Sequence, residues 1–73
     1  MNARLWKIGT RRGIAYVEGR ENALKVMAAA GIEGELRGAM GVYTDRKGRA
    51  FAWLIAFDAR RWEEVSALLP VPS

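Results

Sequence analysis

The stretch from Arg37 to Phe57 is apolar or small at nearly every position, and one polar run interrupts it at residues 45–49. The run Asp-Arg-Lys-Gly at residues 45–48 is typical of a type I turn closed by a glycine. Asp can accept backbone hydrogen bonds in such a turn, and Gly tolerates a positive φ. The pattern therefore predicts a long β-hairpin in which Asp45 lies opposite Arg49.

Both faces of this predicted hairpin are apolar, because successive side chains of a strand alternate between faces. One face is aliphatic, with Val42 opposite Ala52 and Met40 opposite Leu54. The other face is bulkier and holds Tyr43, Phe51, Trp53 and Ile55. Helices could cover either face. Because large exposed apolar patches are rare on monomers, we expect the remaining face to contact a second copy or a partner. If helices cover the aliphatic face, those four bulky side chains form the interface.

Two shorter β-prone segments, Arg4 to Ile8 and Ile14 to Glu18, precede this hairpin and flank a basic, glycine-containing run at residues 9–13. A turn at residues 10–13 would place Ile8 opposite Tyr16. One apolar side would then carry Trp6, Ile8, Ile14 and Tyr16. The alternative is a single long, bent strand.

A helical pattern follows each strand pair. Apolar residues recur at helical spacing from Arg20 to Ala30, and Gly31 suits a left-handed C-terminal cap. Asp58 is a favourable N-cap for a second helix over residues 59–69, and Pro70 would end that helix.

The element order predicts an α+β fold over residues 1–73 as one small domain. The order is ββαββα, or βαββα if the first two segments form one strand. We expect a small antiparallel sheet of three to four strands, with two helices packed mainly on one face. The repeated ββα order admits an internal duplication, although similar basic turns also arise by chance.

The chain is short, and this limits its stability. A chain of 73 residues buries only about 60% of its unfolded surface. It contains no Cys and no His, which excludes disulfides and leaves no metal site of thiolate or imidazole ligands. Association is the remaining common source of stability, so we expect a homodimer.

The basic residues cluster at the two predicted turns. The net charge is +4 and the pI is about 10.1. The candidate nucleic-acid contacts are Arg11 and Arg12 at the first turn and Arg46, Lys47 and Arg49 at the second. Arg can bind phosphate oxygens with two parallel hydrogen bonds, and the neighbouring aromatic side chains could stack on unpaired bases. Basic turns also improve solubility and block pairing at sheet edges.

Enzyme chemistry is poorly supported, because the usual general base and the strongest nucleophile are absent. We predict a small non-enzymatic accessory protein that acts by binding, without a cofactor, with nucleic acid as the leading partner. The alternative is a homodimeric protein–protein interaction module, such as an adaptor, an inhibitor or a subunit of an assembly. No apolar run reaches the roughly 18 residues of a membrane span. The first residues do not resemble a signal peptide, so we expect no membrane contact and a cytoplasmic location.

Overall fold

The computed structural model describes residues 3–32 and 36–69. This part of the chain forms a four-stranded antiparallel sheet and two α-helices. The strands are β1 (Ala3–Ile8), β2 (Arg12–Glu18), β3 (Gly41–Thr44) and β4 (Ala50–Asp58), and the helices are α1 (Arg20–Ala29) and α2 (Trp62–Leu68). The α+β class and the order ββαββα are confirmed, so the single bent strand is excluded.

The strand order in the sheet is β1-β2-β4-β3, so β2 and β4 lie in the middle and β1 and β3 are the edges. The first hairpin turns at residues 9–11, and Ile8 lies opposite Arg12 rather than Tyr16. The predicted pairing is therefore wrong by four positions. Because four is an even shift, Trp6, Ile8, Ile14 and Tyr16 still share one face, as predicted.

The second hairpin forms the predicted turn. Asp45 N donates to the Arg49 carbonyl at 2.9 Å, and Gly48 adopts a φ of 79°. Beyond the first pair the register changes: Thr44 lies opposite Ala50, but Tyr43 lies opposite Ala52. This bulge leaves Phe51 without a partner across β3. The predicted pairing of Val42 with Ala52 is therefore wrong, because Val42 lies opposite Trp53. Tyr43 points to the face opposite Trp53, and not to the same face as predicted.

The helices cover the aromatic face of β4. Trp53, Ile55 and Phe57 are at most 5% exposed and pack with residues of both helices, among them Val26 and Val65. Two of the residues predicted to form an interface, Trp53 and Ile55, thus lie in the core of the single chain, which corrects that prediction.

The helix boundaries differ slightly from the predicted ones. Gly31, with a φ of 73°, follows the end of α1 as expected. The Asp58 carboxylate accepts a hydrogen bond from the Arg60 backbone N–H at 2.9 Å, as expected of an N-cap. Residues 59–61 form a 3₁₀ turn, so α2 begins only at Trp62. Pro70 lies outside the described residues.

Candidate functional site

The helices pack on one side of the sheet, and the opposite side is free of helices among the described residues. We call this side the open face. Its charged side chains come from Arg4, Arg12, Glu18 and Asp58, as the strand alternation dictates. Its apolar side chains come from all four strands: Trp6, Ile8, Ile14, Tyr16, Tyr43, Ala52, Leu54 and Ala56.

Three aromatic residues of the open face form a diagonal row, which we call the aromatic diagonal. Trp6 lies opposite Ile14 of β2, which in turn lies opposite Ala56 of β4. Tyr16 lies opposite Leu54, and Tyr43 lies opposite Ala52. From one aromatic residue to the next, the row moves two residues toward the start of β4 and also moves closer to the β3 edge. Trp6 and Tyr16 are diagonal neighbours on adjacent strands, and such neighbours are about 7–8 Å apart and within reach of aromatic side chains, whereas β4 lies between Tyr16 and Tyr43. The row therefore crosses the whole sheet.

The rings at the β3 end of the diagonal are in contact. The Tyr16 and Tyr43 centroids are 5.3 Å apart at an interplanar angle of 75°, an edge-to-face arrangement. These residues flank β4 on its two sides, so their rings meet above it. The small side chain of Ala52, opposite Tyr43, leaves room for this contact.

The phenol of Tyr16 is held by a neighbour on its own strand. Its Oη donates a hydrogen bond to Glu18 Oε1 at 3.1 Å. Partial burial, and then this hydrogen bond to a carboxylate, raise the pKa of Tyr16 above its ordinary value. Tyr16 is therefore neutral across the physiological pH range, and its ring orientation is fixed.

The aromatic side chains rest on a packed aliphatic layer. Ile14 is 2% exposed and Ala52 is fully buried, although neither belongs to the core between sheet and helices. Both belong to the open face, which therefore has buried apolar side chains of its own. Trp6 and Tyr43 remain 40% and 43% exposed above this layer. The face thus presents firmly supported aromatic surfaces to solvent.

The two basic turns lie at opposite ends of the sheet. Arg11 and Arg12 are at the end where Arg12 pairs with Asp58, the last residue of β4. The second turn precedes Ala50, the first residue of β4, and carries Arg46, Lys47 and Arg49. At 3.3 Å per residue, β4 separates the two turns by about 26 Å. The aromatic diagonal lies between these two ends, with Trp6 nearer the first turn and Tyr43 nearer the second.

Several residues of this surface were not predicted as site residues. The alternation of β1 and β2 placed Trp6 and Tyr16 on one side, but their alignment with Tyr43 depends on the bulge. Phe51 is 43% exposed at that bulge and does not join the diagonal.

The first turn also has basic neighbours that the sequence did not connect with it. The Ala59 backbone N–H donates to the Arg11 carbonyl at 2.9 Å, which brings Arg60 and Arg61 close to this turn. The only early indication was their position just after the predicted cap, Asp58.

Comparison with protein-family models, with curated proteins and with solved structures finds no match to this chain. Within the described residues, no helix has both the length and the apolar character needed to cross a bilayer.

Proposed function

We propose that this chain is a small, cytoplasmic, non-enzymatic protein that binds single-stranded nucleic acid across its open face. The observation that carries the proposal is the aromatic diagonal, which runs between two clusters of cationic side chains. Aromatic rings stack on unpaired bases of any sequence, and Arg or Lys contacts the backbone phosphates. Bases within a duplex are not available for such stacking, so the ligand is single-stranded.

The dimensions of the open face suit this ligand. From Trp6 to Tyr43 the diagonal spans three strand spacings and four residue steps, roughly 20 Å in all. RNA-binding domains with open four-stranded sheets stack two or three bases on aromatic side chains. This likeness concerns the chemistry of the surface and implies no common origin.

A second copy fits the open face less well than a nucleic-acid strand does. The face measures roughly 19 Å by 23 Å, so two faces in contact would bury about 900 Å², less than the roughly 1,200 Å² at the lower end of stable interfaces. Such a pair would also take Arg4, Arg12, Glu18 and Asp58 of both copies out of water, which is costly for charged groups. A narrow polyanionic strand can contact the two arginines and leave the carboxylates in water.

The proposal is tested by titrating the protein with a labelled oligothymidine of about ten nucleotides. Trp6→Ala and Tyr43→Ala should each weaken binding by about 5- to 150-fold, the range for the loss of one stacked base. Trp6→Phe should retain most of the affinity, since a ring remains. Val42→Ala is the matched control, because Val42 neighbours Tyr43 on β3 but points to the other face and is 52% exposed.

Two further measurements decide between stacking and general attraction by charge. Arg46→Glu combined with Lys47→Glu should abolish binding at moderate salt, since the second basic turn would become acidic. A duplex of the same length should compete poorly. Equal affinity for duplex and single strand, or unchanged binding after Trp6→Ala with Tyr43→Ala, would show that the open face does not stack bases.

Self-association is a second candidate function, and the β3 edge favours it. Four of the eight exposed large hydrophobic residues in the described part of the chain lie in or beside β3: Met40, Val42, Tyr43 and Phe51. The other edge strand, β1, carries Arg4 and Lys7, which oppose edge pairing, whereas β3 carries no charge. We propose that two copies pair through β3 about a two-fold axis, so that the chain serves as a homodimeric subunit.

Light scattering over a range of concentrations tests this association. Because the edge is short, we expect a weak, concentration-dependent dimer. Val42→Lys should yield only monomer, while Ile8→Lys on β1 should leave the dimer intact. A monomer at the highest concentrations of the unaltered chain would exclude this candidate and leave the nucleic-acid proposal standing, because the open face does not depend on it.

A further inference from the structure

We propose a second ligand site, for a phosphomonoester group, on the helix side of the molecule. The site is a depression of about 420 Å³ lined by Ala30, Asp58, Arg60 and Arg61. It lies where the end of α1 meets the 3₁₀ turn that follows β4. This site goes beyond the proposed strand binding, because none of its lining residues belongs to the aromatic diagonal.

Arg61 forms one wall of the depression. Its Nη2 and Cζ atoms lie 3.1 and 3.3 Å from the position that a Cβ on Gly31 would occupy. The guanidinium therefore extends from the 3₁₀ turn to the end of α1 and approaches the backbone where glycine leaves space. Within the described residues this guanidinium makes no hydrogen bond or ion pair, so its donors can serve a ligand.

Arg60 is oriented by Asp58. Its Nε donates to Asp58 Oδ1 at 3.3 Å and its Nη2 to Asp58 Oδ2 at 3.1 Å. The hydrogen bonds from the Arg60 side chain and backbone lower the pKa of Asp58, so the carboxylate stays ionised and its charge is balanced. Of the five N–H groups of a guanidinium, three remain for another acceptor. The Asp58 charge is thus paired with Arg60 and does not by itself repel an anion.

The first basic turn adds positive charge beside this depression. Ala59 N donates to the Arg11 carbonyl at 2.9 Å, and Arg12 pairs with Asp58 in the sheet. The nearest acids that follow in the chain, Glu63 and Glu64, are exposed on α2 and do not line the depression.

A phosphomonoester matches these donors better than a phosphodiester does. It carries a charge of about −1.5 to −2 at neutral pH and three strong acceptor oxygens. Guanidinium groups bind such oxygens with parallel, charge-assisted hydrogen bonds. A depression of about 420 Å³ also has room for part of a larger molecule that carries the group, such as a nucleic-acid strand with a terminal phosphate or a small phosphorylated compound.

The experiment follows the backbone amide signals by NMR in three separate titrations. The ligands are thymidine monophosphate, a short oligothymidine with a 5′-phosphate, and the same oligothymidine without it. The monophosphate and the phosphorylated oligonucleotide should shift the amides of Ala30, Gly31, Arg60 and Arg61. Arg61→Gln should weaken this binding at least about tenfold, as expected for lost charge-assisted hydrogen bonds. Lys25→Gln, which removes an exposed charge from α1, is the control.

The pH dependence shows whether the doubly charged phosphomonoester is the bound form, and the comparison of Arg61→Gln with Lys25→Gln separates this site from general charge attraction. The chain has no His, so a rise in affinity as the pH increases through about 6 must come from loss of the second phosphate proton. In the Trp6→Ala, Tyr43→Ala variant, tighter binding of the phosphorylated oligonucleotide than of the monophosphate would identify a strand terminus as the source, and equal or weaker binding would identify a small compound.

Absence of amide shifts at this site, or shifts that Arg61→Gln leaves unchanged, would overturn the proposal. The Trp6→Ala, Tyr43→Ala variant separates this outcome from failure of the proposed function. It should lose strand binding through the open face and keep the monophosphate site.

Discussion

Among the glycines in the described part of the chain, Gly13, on the helix side of β2, has the least room for a side chain. A Cβ placed on Gly13 would lie 2.6 Å from Phe57 Cε2 and closer still to Cζ. The Phe57 ring is 5% exposed and stands 6.2 Å from the Trp62 ring, so it has little room to move. Gly13→Ala should therefore lower the free energy of unfolding by about 1–3 kcal/mol, the usual cost of overpacking. Urea or thermal unfolding measures this change.

Gly41→Ala is the matched control for this prediction. A Cβ on Gly41 would lie 3.6 Å from Leu54 Cβ, an ordinary contact, and Gly41 has no positive φ. This variant should change stability by less than about 0.5 kcal/mol, as substitutions away from crowded sites usually do. If both variants lose the same amount, a general cost of replacing glycine in a strand explains the result, and crowding at Phe57 does not.

Asp58 gives a residue-level prediction about pH. Its pKa is lower in the folded chain than the usual 3.8, because Arg60 hydrogen-bonds to it through both side chain and backbone. A lowered folded pKa means that the carboxylate stabilises the fold at pH values above about 4 and loses this contribution as the pH falls through the lowered pKa. The unaltered chain should exceed Asp58→Asn in stability at pH 7, and the difference should shrink below pH 4. A difference that stays constant from pH 7 to pH 2 would assign the effect to the hydrogen bonds alone.

At the level of elements, the second hairpin depends on one side chain in its turn. Asp45 Oδ1 accepts hydrogen bonds from the backbone N–H groups of Lys47 and Arg49, each at 2.9 Å. Asp45→Ala should cost about 1 kcal/mol, comparable to the loss of a capping side chain. Asp45→Asn keeps an acceptor oxygen and should retain most of the stability in denaturant unfolding. An equal loss in both variants would indicate that the negative charge, rather than hydrogen bonding, stabilises the turn.

The two hairpins also show what the sequence can predict about a sheet. The composition of residues 45–48 predicted the turn, and alternation in β1 and β2 predicted the face shared by Trp6 and Tyr16. The shift of one residue at Phe51 was not predictable, because neither the turn composition nor the alternation of apolar residues specifies a β-bulge. The aromatic and basic residues were visible in the sequence, but the aromatic diagonal depends on that bulge and on β4 lying between β2 and β3.

At the scale of the whole molecule, the distance between the two basic turns determines which length of nucleic acid can contact both. Neither turn alone carries more than three cations, and the two are about 26 Å apart along β4. A nucleic-acid strand that is long enough to reach both basic turns makes the second contact within the same complex. The second contact therefore costs no further translational entropy. The chain is therefore expected to distinguish nucleic acids by length more than by sequence.

A series of oligothymidines of increasing length tests this expectation. At 3.4 Å per stacked nucleotide, about eight nucleotides span the two turns. Affinity should rise steeply up to this length and only slowly beyond it. Arg46→Gln with Lys47→Gln should weaken binding of the long oligonucleotides, remove the steep rise, and reduce the slope of log K against log salt by about two. Arg20→Gln with Lys25→Gln removes the same net charge from α1 and should preserve the rise. An equal effect of both double variants would mean that overall charge, and not the placement of the turns, determines binding.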